Sequence, residues 1–236
     1  MIQEYAQLLS TAHRLLDGKL ATAALQPAVY RNLKTLGYSG RAEYKALLLP
    51  GESISFVTST EGPENVVTHE WKILNKKAMA ATHANHPCGI WVRESADNYK
   101  WLFDLFIALC EEKAHRYPKG PNDTMFKYGT FLSNPPVNLP SKGFTEPALA
   151  MPTVYKKPGD PVTSYRHFYI GDKFRFAKWT NRNVPRWFFK DFAEVWSVDP
   201  DERVKYLMDE KQAKKTQISL NHVKKYLLDV YNRVIS

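Results

Sequence analysis

Glu4, Gln7 and Thr11 follow one another at steps of four and three, so on a helix they share one polar stripe. A carboxylate on such a stripe has two readings. Buried, it needs a partner or a task. Exposed in a first turn, it simply complements the helix dipole, the commoner reason for an early glutamate. His13 and Arg14 come next, adding a titratable ring and a guanidinium to the end of the helix. His83, His86 and Cys88 lie close together, yet no second cluster supplies further ligands at a recognisable spacing, so no metal is expected. The chain contains no G-x-S-x-G elbow, no P-loop and no G-x-G-x-x-G. With only 11 glycines, it is not expected to cradle a nucleotide cofactor.

Charge is the stronger signal. The chain carries 33 Lys+Arg against 24 Asp+Glu, a net +9, and +7 of this falls between Lys156 and Lys190. That segment holds Lys156, Lys157, Arg166, Lys173, Arg175, Lys178, Arg182, Arg186 and Lys190 against Asp160 and Asp172, interleaved with aromatics such as Trp179 and Trp187. Cations attract phosphates whatever the sequence, and aromatic faces stack on bases, so the mixture suits a nucleic-acid surface. The plain alternative is a small aromatic core with a solvated cationic rim.

The elements that must position these residues follow from periodicity. Residues 1–16 place apolar side chains at helical spacing, and Gly18 ends the pattern. Residues 18–68 read as a loop-rich insertion, with a short strand at Ser53 to Thr58 and helical spacing only at Ala42 to Leu49. Ser95 is a natural N-cap for a buried helix running to Tyr117, with Tyr99, Leu102, Phe103 and Phe106 on its apolar face. Nine prolines between residues 118 and 161 predict an extended connection. Helical pattern returns over Val162 to Lys178, Asp201 to Lys215 and Ser219 to Val234. The fold class expected is mostly α, with a domain over residues 1–190 and a helical extension over 191–236. At 236 residues the chain can bury a core without staples, and its two isolated cysteines, Cys88 and Cys110, suit a reducing, cytoplasmic compartment. No apolar run is long enough for a membrane span, and the charged N-terminal segment does not read as a signal peptide.

Ile2 to Arg14, the stretch NHPCGIWVRES (85–95), the helix end CEEKAHRYPK (110–119) and VTSYRHFYIGDKFRFAKWTNRNVPRWF (162–188) resemble a group of uncharacterised phage proteins. These in turn remotely resemble the phage pyrimidine-dimer DNA glycosylases of the endonuclease V type. The resemblance covers residues 1–16 and 82–190. It implies a helical glycosylase fold acting on double-stranded DNA, in the cytoplasm of an infected bacterium if the chain is phage-encoded. In that family an N-terminal amine attacks the sugar C1′, displaces the base and forms a Schiff base, while a glutamate stabilises the cation. The match assigns the glutamate to Glu4; the family's nucleophile-bearing segment has no counterpart in this sequence, and the Met1 amine, three helical residues from Glu4, is the group expected to stand in for it. His13 and Arg14 are then expected to hold phosphate or the flipped nucleotide, and Arg93 and Arg182 to add backbone contacts. The family's aromatic, basic tail is similar to Arg186, Trp187, Phe188, Phe189 and Lys190. Its upstream Asp-x-His element has no counterpart in this sequence.

The leading expectation is therefore N-glycosyl cleavage of a damaged or modified pyrimidine, with optional strand incision and no cofactor. A non-catalytic DNA-binding protein and a DNA-base-modifying transferase on the same scaffold are the rivals.

Overall fold

The apolar spacing at the N-terminus folds as predicted into α1 (Ile2–Leu16). The structure is a computed structural model that describes residues 2–61, 66–118, 123–173, 179–183, 185–188, 191 and 195. Met1, Arg175, Lys178, Phe189 and Lys190 lie outside the described residues, as do the helices expected over 201–215 and 219–234 and the domain boundary expected at residue 190. Two compact units divide the chain: Met1–Ser164 with Trp179–Arg182, and Tyr165–Lys178 with Asn183–Ser236.

In the first unit α1 is the element everything else surrounds. Six consecutive residues, Leu9 to Arg14, are buried, which for a helix means that every face is covered. Its apolar side, Ala6, Leu9 and Ala12, packs against Trp91 and Val92 of α3 (Pro87–Val92), Tyr99, Leu102, Phe106 and Cys110 of α4 (Ala96–Arg116), and Tyr128 and Leu132 of α5 (Asp123–Leu132). Two alanines on that side let neighbouring helices approach closely. The N-cap expected at Ser95 forms: its Oγ accepts from the Asn98 amide at 3.1 Å. Asp97 in the first turn of α4 and Lys113, His115 and Arg116 in the last complement its dipole.

The mostly α expectation is overturned. Two antiparallel two-stranded sheets make the protein mixed α/β. β1 (Lys19–Ala24) pairs with β2 (Glu43–Leu48) across α2 (Pro27–Thr35), with Lys19 opposite Leu48 and Ala24 opposite Glu43. β3 (Ser53–Glu61) pairs with β4 (Val66–Leu74), with Phe56 opposite Trp71. The stretch read as a loop-rich insertion is thus mostly regular structure, and its Gly and Pro residues punctuate strands rather than mark loops. Ala42 to Leu49 is not helical because its working period is two: Glu43 and Lys45 are exposed, while Tyr44 and Ala46 turn inward. Phe56 and Trp71 meet edge to face at 5.1 Å, and Tyr44 stacks on Trp71 at 6.1 Å, so half-buried aromatic rings form the local core.

A second correction concerns the proline-rich connection. α5 folds inside it because Asp123 to Leu132 is free of proline. The extended remainder is pinned to α4. Asn98 Nδ2 donates to the Trp91 carbonyl and to Thr145 Oγ1, its Oδ1 accepts from the Thr145 amide, and Trp91 Nε1 donates to the Thr145 carbonyl. The helix expected from Val162 is α6 (Pro161–Phe168), continued by one π-helical turn, Tyr169–Lys173. In the second unit Ile170, Phe188 and Val195 are buried, and Trp187 lies 5.8 Å from Phe188 and 6.2 Å from Tyr169.

Phe106, fully buried among α1, α4 and α5, tests the core assignment. Phe106→Ala is expected to cost about 3–5 kcal/mol in urea unfolding, a large-to-small core change. A loss below about 1 kcal/mol would place the side chain on the surface.

Candidate functional site

The stripe that carries Glu4 runs on through Gln7 and Thr11 to Arg14, and from Gln7 onward its partners lie largely on the main chain of another segment. Gln7 Nε2 donates to the Ala80 carbonyl. Thr11 Oγ1 donates to the Thr82 carbonyl at 3.0 Å and accepts from the Thr82 amide at 3.2 Å. Arg14 Nε donates to the Met79 carbonyl at 3.0 Å, and its terminal nitrogens donate to the carbonyls of Leu47 and Ala78, each at 2.7 Å. Both terminal nitrogens also meet the carboxylate of Glu52 in a forked pair. A guanidinium has five N–H groups, and here every one has an acceptor.

Glu52 is matched just as fully. Besides Arg14, it accepts the amide of Leu49 at 2.9 Å and that of Lys77 at 2.8 Å. Burial alone pushes this carboxyl up. The Arg14 fork and the two amides outweigh that and hold it below the ordinary carboxylate value. The Arg14 and Glu52 side chains are 1% and 0% exposed, so the pair is sealed inside the unit. Arg14, expected at phosphate, is therefore spent on internal bonds and presents no N–H to a ligand.

His13 is equally internal. Its Nε2 lies 3.0 Å from the Tyr99 hydroxyl, its Nδ1 3.8 Å from Asp17, and its ring 4.6 Å from that of Phe131. Burial drives its pKa down to about 4; Asp17 and a bond to the Asn134 main chain pull the other way, and Arg14 adds to the fall. Asp17 faces the proline-rich segment as well, where it accepts the amides of Val137 at 2.9 Å and Asn138 at 3.0 Å. Gly18 follows because a Cβ there would collide with the Arg14 carbonyl and crowd Leu47.

Glu4, by contrast, is exposed in the first turn of α1. Arg93 is half-buried: one terminal nitrogen donates to the Ala84 carbonyl at 2.7 Å, the other is buried without a partner, and burial lowers its pKa. The ring nitrogens of the nearby histidines are engaged locally, His83 Nδ1 with Thr82 Oγ1 and His86 Nδ1 with the Cys88 amide. Among the described residues no group of three or more His, Cys, Asp or Glu is placed to hold a metal.

The basic segment falls in two places. In the first unit Arg182 makes a forked pair with Glu112, which also binds Arg116, and these bonds hold the Glu112 carboxyl down at about 2. Trp179 lies 5.3 Å from the Arg116 guanidinium, and the Asn181 carbonyl meets His115 Nε2 at 2.9 Å. Trp179 and Arg182 thus fasten the returning chain to the end of α4. In the second unit Arg166 sits 5.3 Å over the ring of Trp187 and Lys173 5.2 Å over that of Phe168, while Arg186 is exposed. The geometry therefore brings together Arg166 with Trp187 and Trp179 with Arg182. It sets Glu4, at the exposed start of α1, apart in surroundings from the buried His13 and Arg14.

Glu52, Asp17, Asn98 and Glu112 organise these clusters, and the sequence reading missed all four. Asp17 alone left a signal, since an acid at a helix C-terminus opposes the dipole and must find a donor elsewhere. Comparisons with protein-family models, curated proteins and solved structures give no match. What the geometry defines by itself is a mixed α/β protein with a sealed polar node and a cation-rich, aromatic second unit. No helix among the described residues is long and apolar enough to cross a membrane.

Two stability outcomes follow. Glu52→Gln keeps the shape but strands a buried guanidinium, and it is expected to cost about 3–5 kcal/mol in urea unfolding. For His13 the folded pKa, about 4, lies below the ordinary value of 6.5, so protons favour the unfolded chain. Stability is then full above about pH 6.5 and falls between there and about pH 4, by roughly 3 kcal/mol in all. Unfolding of the native chain and of His13→Gln at pH 7.5 and 4.5 checks this: the substitution should remove most of that acid loss.

Proposed function

We propose that the protein binds duplex DNA through residues 156–190. The observation that carries this reading is the concentration of +7 of the net +9 in that segment. Lys156, Lys157, Lys173 and Arg186 are exposed, and such cations attract phosphate through release of its counterions. Within the second unit the cation–ring pairs support positioned backbone contacts, because a stacked guanidinium keeps its charge while losing freedom. Tyr169, Trp187 and Phe188 pack on one another. Their place in that cluster favours backbone contact over insertion of rings between bases. His13 and Arg14 have no part in this reading.

A second reading, glycosyl cleavage with strand incision, rests on the resemblance that matches Glu4 to the glycosylase glutamate; exposure in the first turn of α1 leaves that carboxylate accessible and equally suits the plain role of complementing the helix dipole. Amine attack at C1′ would release the base and leave a Schiff base that borohydride reduces to a stable adduct.

Duplex binding is expected to weaken with salt at a log–log slope of magnitude about 3–6. Lys173→Gln and Arg186→Gln should each lower that slope by about 1, whereas Arg182→Gln, already paired to Glu112, should change it little. Salt-independent binding, or none at low salt, overturns the reading. A borohydride adduct on abasic DNA that is lost in Glu4→Gln, with duplex affinity held within about tenfold, would move the protein from binding to catalysis.

A further inference from the structure

Two large aromatic side chains of the first unit stand open to solvent, Trp101 at 44% and Phe144 at 51% exposure. They are neighbours: their ring centroids are 6.2 Å apart with the planes tilted by 49°. Both meet buried Trp91 nearly perpendicularly, at 5.7 and 5.9 Å. Trp91 is itself fixed by its bond to the Thr145 carbonyl, and Thr145 by Asn98. The open rings therefore form a braced corner, not two loose side chains.

The rim of this corner is acidic on a chain that is basic overall. Asp97 and Asp104 lie four residues before and three after Trp101, so they share its face of α4, and both are exposed. Glu94 reaches the Thr145 hydroxyl at 3.4 Å, and Glu146, also exposed, lies two residues beyond Phe144. Arg93, Lys100 and Lys142 are the nearby cations in sequence, and Arg93 is half-buried and bonded to the Ala84 carbonyl. Among the described residues no ion pair engages Asp97, Asp104 or Glu146.

We propose that this corner docks an arginine-bearing peptide segment of a partner protein. A guanidinium laid on Trp101 beside Phe144 gains cation–π attraction on its face, and its N–H fork points toward a rim carboxylate. Lysine fits less well, since an ammonium is strongly hydrated and has no plane to stack. Nucleic acid is disfavoured, because four carboxylates repel phosphate. This inference is independent of the DNA reading, which uses a different segment of opposite charge.

The test titrates the full chain into an acetylated octapeptide of alternating Gly and Arg, with the Gly-Lys octapeptide as comparison, by isothermal calorimetry at 150 mM salt. The Arg peptide should bind roughly tenfold tighter than the Lys peptide, and Trp101→Ala should weaken it by about tenfold with an unchanged melting temperature. Asp104→Asn should weaken it by about threefold and flatten its salt dependence. Equal affinity for the two peptides, full affinity in Trp101→Ala, or no binding at millimolar concentration would overturn the proposal. Self-association lost in Trp101→Ala, with no peptide binding, would also overturn it, in favour of a second copy of this chain.

Discussion

One buried ion pair ties the helical and sheet parts of the first unit together. Isolated, the Arg14 guanidinium would be ruinous in a closed interior, because neither charge of such a pair recovers its lost hydration from the other alone. It is tolerated because all five N–H groups are met and because the facing carboxylate is itself bound by two amides. The arrangement joins α1 to the end of β2, to the turn before β3 and to the segment after β4. Among its described residues the sheet region buries only Leu33 and Leu49, so its attachment rests heavily on this polar node.

The same economy explains why α1 is buried on every side from Leu9 to Arg14 although its sequence reads as half polar. Beyond the exposed Gln3 and Glu4, its polar face is largely withdrawn from solvent. It is satisfied by main-chain groups of residues 78–82, which therefore need no sheet of their own. At the far end of the helix Asp17 does the equivalent for the turn at Val137 and Asn138. Polar side chains that look poised for a ligand can thus be consumed in folding, and Arg14 is such a case.

Legibility in the sequence followed locality. α1, the Ser95 cap and the apolar face of α4 were readable because each is specified within a few residues. The strands were harder: β2 hides its period of two behind three apolar residues in a row, Ala46 to Leu48, and a reading weighted toward glycine and proline took the surrounding punctuation for loop. α5 was obscured by the prolines on either side of it. Glu52 and Asn98 could not be found at all, because their partners lie 38 and 47 residues away and no spacing rule connects them. The cation–aromatic mixture of the basic segment was visible, but whether a given cation faces solvent, a ring or a carboxylate is decided by tertiary neighbours. Arg182 and Arg166 show two different answers.

Because the polar stripe of α1 binds carbonyl oxygens, it reads backbone and not side chains. Leu47, Ala78, Met79, Ala80 and Thr82 contribute an atom that every amino acid possesses, whereas Arg14 and Glu52 contribute groups that no other residue supplies in the same shape. Under neutral drift the two halves of this contact should diverge at different speeds: the carbonyl-bearing positions are free to exchange within the limits of packing, while the charged couple changes only by a concerted double replacement. Divergent relatives of this chain would then be recognisable less by overall similarity than by an arginine late in the first helix and a glutamate in the turn between the second and third strands.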